Sequence, residues 1–390
     1  MKFTEEAFAP HMRPITGSAI REIFKLLGKP GMISFAGGNP SNAALEPEVI
    51  SELAVEVLAK YGTSLLQYGA TEGFAPFIES AGEFLSEVGL RAGAGELLPV
   101  QGGTQGFDLL IKALVEPGDV ILAEDPTFLG ALQAMHTYNA RIIPVATDEN
   151  GVIPEDVEEK IKKYSPKLMY IIPSFQNPTG VTLSLERRKA LAELANRYGV
   201  ILAEDDPYRD LRYAGEPLPA IKSFDEGGWV VYLASFSKLI SPGMRVGAAI
   251  CNPVLMRKLV IGKQSTDVHT TSFTQAIVDL YLRKNLLLPH IERICKSYKR
   301  QLDAMLDGFK YFPAGVTHTA PEGGLFVWAA LPEGQSALSL FDRAVENNVA
   351  FVPGTHFYPE GGHENTFRLN FSNSPADVIE TGMKRLGGLI

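Results

Sequence analysis

The chain is short of the features that would send it out of a reducing compartment, into a membrane or onto a nucleic acid. Its two cysteines, Cys251 and Cys295, are too few for a disulfide framework and have no CxxC spacing, which suits a reducing compartment. The opening MKFTEEAFAPHMRP lacks the apolar stretch of a signal peptide, and no run reaches the roughly 18 apolar residues a membrane helix needs, so a cytoplasmic, membrane-free location is expected. Basic charge is also scarce: 36 Lys and Arg stand against 45 Asp and Glu, a net charge of −9, with no basic arm or stripe. Nucleic acid is therefore not an expected partner. Seven histidines are scattered, with His356 and His363 in a Gly/Pro-rich loop rather than at helical spacing, so no metal site is expected. There is no GxGxxG dinucleotide fingerprint and no Walker GxxxxGK[ST], which weakens nicotinamide and nucleotide readings. Internal repeats and low-complexity segments are absent too.

What the chain does have is length and an alternating pattern. Its 390 residues, 45% hydrophobic and 21% charged, are ample for a large core and suggest two or three domains. Short Val/Ile/Leu runs predict strands at 97–101, 120–123, 141–145, 168–172, 200–203, 230–234 and 246–251. Helices are predicted at 47–60, 75–88, 104–115, 127–138, 154–163 and 184–198, the last capped by Ser184 and stopped by Gly199. Continuous apolar strands separated by helices imply a mainly parallel sheet covered on both faces, an α/β fold. The seventh strand follows the sixth without a helix, so it could run antiparallel. Beyond residue 255 the pattern is helical, with Pro289 predicted to mark a break, followed by strands near 325–329, 349–352 and 367–371 that suggest a smaller α+β domain.

In such sheets ligands bind beyond the carboxyl ends of the strands. At those ends lie Gly102-Gly103-Thr104-Gln105, opening a helix whose N-terminus suits a phosphate; Asp125 to Phe128; Pro173 to Gly180, with Asn177; Glu204 to Tyr208; and Ser235-Phe236-Ser237-Lys238. Lys238 has hydroxyl residues at i−3 and i−1 and Arg245 at i+7, one candidate nucleophile among anion-binding groups. A lysine whose amine is desolvated or set beside cations forms Schiff bases, so the stretch suits a phosphorylated carbonyl compound. A surface lysine would have no reason to share that edge with a phosphate nest, carboxylates and an amide.

Three further residues carry weaker signals. Residues 18–27 put Ile20, Ile23, Phe24 and Leu27 on one helical face and leave Arg21 off it, ordinarily a solvated position. Tyr68, in the loop 67–73, reads as local packing. In Thr366 to Phe371 the apolar residues alternate, placing Arg368 and Asn370 on the opposite face, which alternation alone would leave in solvent.

The motifs SFSKLISPGMRVG, PSFQNPTG and EDDPYRDL, in that order, resemble those of the fold type I pyridoxal-phosphate (PLP) aminotransferases of class I/II. AIRE at 19–22, ISFAGGNPS at 33–41, LQYGATEG at 66–73, FVPG and NTFRLNFS extend the resemblance over nearly the whole chain, nearest to the 2-aminoadipate and kynurenine/aminoadipate subgroup. It implies a fold type I transferase with a mainly parallel seven-stranded sheet and a smaller α+β domain. The expected divisions are an N-terminal segment at 1–45, a PLP-binding domain at 46–285 and a small domain at 286–390.

The resemblance also implies roles. Lys238 would carry the cofactor as a Schiff base and shuttle the proton, and Asp205 would pair with the pyridine nitrogen so that the ring acts as an electron sink. Asn177 and Tyr208 would bind the ring's phenolic oxygen, with Tyr208 counted among the catalytic groups. Phe128 would stack on the ring; tyrosine often occupies that position in the subgroup. Gly103, Thr104, Gln105, Ser235, Ser237 and Arg245 would hold the phosphate, and Tyr68 would reach the cofactor of a neighbouring subunit, making a homodimer with shared sites. Arg368 would take the substrate α-carboxylate as a bidentate pair, beside Gly38 and Asn177. Arg21 would take a distal carboxylate, favouring 2-aminoadipate and glutamate with 2-oxoglutarate as acceptor. An aromatic or branched-chain range is the near alternative. A cofactor-sensing transcription regulator would carry a basic winged-helix segment before this domain, and a racemase or carbon–sulfur lyase would share the cofactor.

Overall fold

A computed structural model describes residues 2–13, 15, 31–87, 89–93 and 95–390. Its centre is a seven-stranded sheet in the order Leu97–Val100, Gly247–Ile250, Val230–Ser235, Ile201–Asp205, Leu168–Ile171, Val120–Glu124, Arg141–Val145. Five of the strands pair in parallel, from Val230–Ser235 to Arg141–Val145. Gly247–Ile250 runs antiparallel to both of its neighbours, so Leu97–Val100 points the same way as the other five.

The apolar runs are continuous because each face has its own cover. Ile121, Ala123, Tyr170, Ala203 and Leu233 pack in one cluster with Phe107, Leu110 and Ile111 of the helix Gly103–Leu114. The alternate residues Leu122, Met169, Ile171 and Leu202 pack with Val157 and Ile161 of Pro154–Tyr164 and Leu191 and Ala195 of Leu185–Tyr198. Ser184 accepts from the Arg187 N–H and Gly199 takes the left-handed conformation, as the sequence signals predict, each device worth roughly 1 kcal/mol or less.

Past the large sheet the chain forms helices Pro253–Thr266, Ser272–Arg283 and Leu287–Gly308. The expected break at Pro289 lies earlier, at Lys284 to Leu286, where Asn285 has φ 54°. Pro289 sits in the first turn of the last helix, where its missing N–H would have had no intrahelical partner. An antiparallel four-stranded sheet follows, ordered Thr317–His318, Phe326–Ala330, Thr366–Asn370, Val352–Pro353. The strand expected at 349–352 is two: Val352–Pro353 joins that sheet, whereas Val349–Ala350 pairs in parallel with Ile33–Ser34 and ties the N-terminal segment to the C-terminal part of the chain. The predicted helix at 18–27, with Arg21, lies outside the described residues. Among the described residues no helix is long and apolar enough to cross a membrane.

One buried cation braces the loops below the carboxyl edge. Arg188, 1% exposed, donates to the carbonyls of Leu183, Pro219 and Pro173 and to Ser174 Oγ at 2.7–3.1 Å. Arg188→Met should strand several of these acceptors and cost about 3 kcal/mol or more. The check is the urea midpoint at unchanged m; a loss below about 1 kcal/mol would show the bracing to be idle.

Candidate active site

The carboxyl ends of the parallel strands open into a cleft of about 350 Å³. Gly38, Gly103, Thr104, Phe128, Asn177, Asp205, Tyr208, Ser235, Ser237, Lys238, Arg245 and Arg368 all line it, so twelve of the fifteen residues singled out from the sequence meet in one place. Parallel pairing explains how positions 100 to 245 converge. Residues after Val100, Glu124, Ile171, Asp205 and Ser235 all leave the sheet at the same edge.

The helix Gly103–Leu114 begins without a side-chain cap. Its first N–H groups have no intrahelical partner, which leaves them for an anion. Gly102 has φ +80°, and a Cβ there would lie 2.9 Å from an Arg245 guanidinium nitrogen. A Cβ on Gly103 would lie 2.9 Å from Asp205 Oδ1, so the glycine pair lets backbone, carboxylate and guanidinium crowd together. Arg245 donates to the Gln101 carbonyl at 2.6 Å and approaches Ser237 Oγ at 3.5 Å.

Lys238 Nζ donates to the Gly38 carbonyl at 2.6 Å. Burial, with the cations Arg368 and Arg245 adding to it, pulls its amine down to about 8. Asp205 is buried, and desolvation raises its carboxyl to about 6, opposed by a 2.5 Å hydrogen bond from the Tyr170 hydroxyl and reinforced by Asp206. Burial raises the Tyr208 hydroxyl, which also bonds the Asn177 side chain.

Arg368 is 2% exposed, contrary to the solvated face that alternation alone suggests. Its guanidinium carbon lies 4.2 Å from the Phe326 ring centroid and 5.0 Å from that of Phe357. One arm donates to Asn177 Oδ1 and the other to the Ala36 carbonyl, both at 2.8 Å, and Nε is buried without a partner. Burial lowers the guanidinium pKa to about 10, which still leaves it charged at neutral pH.

Two expected site residues, Gln105 and Tyr68, are not among those lining this cleft, and the position of a third is not described. The Gln105 side chain turns away from it: Nε2 donates to Asp267 at 2.7 Å, and Oε1 accepts from Lys263 at 2.9 Å and from the Gln101 N–H at 2.8 Å. Gln105 therefore shapes the nest from behind, since Gln101 is gripped by Gln105 at its N–H and by Arg245 at its carbonyl. Tyr68 is 81% exposed and its ring meets His269 edge-on at 6.1 Å. Arg21 lies outside the described residues.

Sequence reasoning missed the supporting groups. Tyr170 hides inside an apolar strand. Lys263, fully buried, pairs with Asp267 and Gln105. Glu124 and Gln176 join the loops that carry Phe128 and Asn177: Gln176 donates to the Pro126 carbonyl at 2.8 Å and to Glu124 at 3.4 Å, and Glu124 accepts from the Ile172 N–H. Burial pushes the Glu124 carboxyl to about 8. A glutamate at the last position of an apolar strand was the one signal available.

The residues present fit pyridoxal phosphate: an amine of low basicity, a carboxylate for the ring nitrogen, a helix-end nest with a guanidinium for the phosphate, and a buried guanidinium with an unpartnered nitrogen. Comparison with known proteins agrees. The family model for aminotransferase class I and II matches residues 30–386. An aromatic-amino-acid aminotransferase of Thermococcus litoralis is 41% identical, covering 99% of this chain and 94% of that protein. A 2-aminoadipate transaminase of Thermus thermophilus is 39% identical, covering 98% and 96%. The crystal structure of Pyrococcus horikoshii kynurenine aminotransferase in complex with PMP superposes with a TM-score of 0.94 at 39% identity, covering 99% and 97%.

A lysine amine reacts with an aldehyde only when unprotonated, and Lys238 loses its proton near pH 8 instead of about 10.5. The rate at which cofactor-free protein takes up pyridoxal phosphate covalently should rise with a half-maximum near pH 8. Stopped-flow absorbance across pH 6.5–10.5 checks it, and a midpoint near 10 would mean that the cleft does not depress the amine.

Proposed function

The chain belongs to the class I and II aminotransferases and is a pyridoxal-phosphate-dependent transaminase; from that premise we propose that it takes 2-aminoadipate and glutamate as well as aromatic amino acids, with 2-oxoglutarate as acceptor. The carrying observation is Arg368, a buried guanidinium held by Asn177 and Ala36 with Nε left free, in the same cleft as Lys238 and Asp205.

Bound pyridoxal phosphate supplies the electron sink for cleavage at substrate Cα. The chain supplies the rest. Lys238 would hold the cofactor through its amine and would move the proton at substrate Cα. Asp205, as a carboxylate, would accept a hydrogen bond from the protonated ring nitrogen, whose positive charge an amide there could not balance. Asn177 and Tyr208 hold the phenolic oxygen, and Phe128 covers the ring, which a phenylalanine does by stacking alone. The nest at 102–104 with Ser235, Ser237 and Arg245 holds the phosphate. Arg368 takes the α-carboxylate through a planar fork that lysine cannot reproduce.

The partner reading is a homodimer in the cytoplasm. It is supported by Tyr68, exposed and away from this subunit's cleft as a residue serving a neighbour's site would be, and by the exposed Leu66 beside it. Within the same proposal, residues 1–45, 46–285 and 286–390 act as N-terminal segment, cofactor domain and small domain.

The breadth of substrate is supported by relatives named for aromatic amino acids and for 2-aminoadipate. Half-reaction spectroscopy tests it: each accepted amino acid should convert the cofactor once, stoichiometrically, until a 2-oxo acid is added. Continued turnover without an oxo acid would indicate a lyase or racemase instead. Arg21→Ala should lower kcat/KM for 2-aminoadipate and glutamate roughly 10- to 100-fold, the worth of a charge-assisted pair, and leave aromatic substrates within about threefold. Equal effects on both classes would remove Arg21 from the distal-carboxylate role.

A further inference from the structure

Tyr170 is buried beneath the cleft and is used by none of the roles above. It lies on Leu168–Ile171 opposite Ala203 in the parallel register, so its side chain shares a face with Asp205, two residues beyond Ala203 on the adjacent strand. The hydroxyl donates to Asp205 Oδ2 at 2.5 Å, and the ring packs against Phe107 with centroids 4.5 Å apart. Asp205 Oδ1 lies on the Gly103 side. The titratable groups around the pair are Asp206, the first residue past the same strand, Glu124 at the end of Val120–Glu124, and Tyr208 in the loop beyond Asp205.

Resting on the reading of Asp205 as partner of the ring nitrogen, we propose that Tyr170 is a positioning residue that keeps the shared proton on the cofactor's ring nitrogen rather than on Asp205. A proton between a carboxylate and a pyridine nitrogen sits on the more basic of the two. Burial and Asp206 make Asp205 more basic, and the Tyr170 hydrogen bond, by stabilising the anion, works against both. The transfer moves one proton and no electrons. Tyr170 keeps its own proton, because burial and the adjacent carboxylate hold its hydroxyl well above the usual tyrosine range. Packing alone would be served equally well by phenylalanine, so the hydroxyl is the informative atom.

When the ring nitrogen is neutral, the ring withdraws less from the nitrogen joined to Lys238, which then keeps its proton to higher pH. Tyr170→Phe, which retains the ring against Phe107, should therefore raise the pH midpoint of the bound cofactor's visible absorbance by about 0.5–1 unit. It should also lower kcat roughly 10- to 100-fold with KM within about twofold. A fluorinated tyrosine at 170, a stronger donor of nearly the same shape, should move the midpoint downward. A wild-type midpoint in Tyr170→Phe, whatever its activity, overturns the proposal, as does an upward shift with the fluorinated residue. Asp205→Asn, run in parallel, separates the two readings. If it moves the midpoint and Tyr170→Phe does not, the role of Tyr170 fails alone; if neither moves it, the placement of Asp205 fails first.

Discussion

The core of the cleft, from the nest at 102–104 to Lys238, depends on parallel strand pairing. Because the strands from Leu97 to Ser235 that flank or form the centre of the sheet point one way, residues scattered over about 140 positions leave the sheet at one edge. The single antiparallel strand, Gly247–Ile250, brings Arg245 to that edge from the opposite direction. A chemistry that needs an amine, a carboxylate and a phosphate nest together is thereby assembled from loops, with the sheet fixing their spacing.

The large sheet was legible because its signals are local. Apolar runs, the Ser184 cap and the Gly199 stop act within a few residues of themselves, and the seven strands fall where the pattern puts them. The errors arose where tertiary context decides. Pro289 reads as a break, yet a proline is harmless in a first turn, and the break belongs to Asn285. Alternation alone would leave Arg368 in solvent, although the resemblance makes it a substrate ligand, because a strand pattern cannot say what covers a face, and here Phe326, Phe357 and the distant Ala36 lie against it. The resemblance makes Gln105 a phosphate ligand, and sequence could not show that Lys263 and Asp267, some 160 residues on, engage its side chain. Tyr170 was invisible for the opposite reason: in an apolar strand a tyrosine looks like core, and only the register with Ile201–Asp205 shows what its hydroxyl meets.

The electrostatic design is one of unequal burial. Lys238 is made less basic and Asp205 more so, each moved toward neutrality by the loss of water. Such settings cost folding free energy, and the loops that carry them are tied together by Arg188 beneath and by Gln176 between two of them.

The parallel pair of Ile33–Ser34 with Val349–Ala350 looks like a minor staple. It fixes the two peptide carbonyls just beyond it, Ala36 on Arg368 and Gly38 on Lys238. Lys238 and Arg368, two of the three cations lining the cleft, thus each donate to a main-chain carbonyl of one short segment, a dipole that presents the same kind of oxygen as a carboxylate. A carboxylate taken up by Arg368 would then substitute one oxygen for another, with little rearrangement of the charge around the guanidinium.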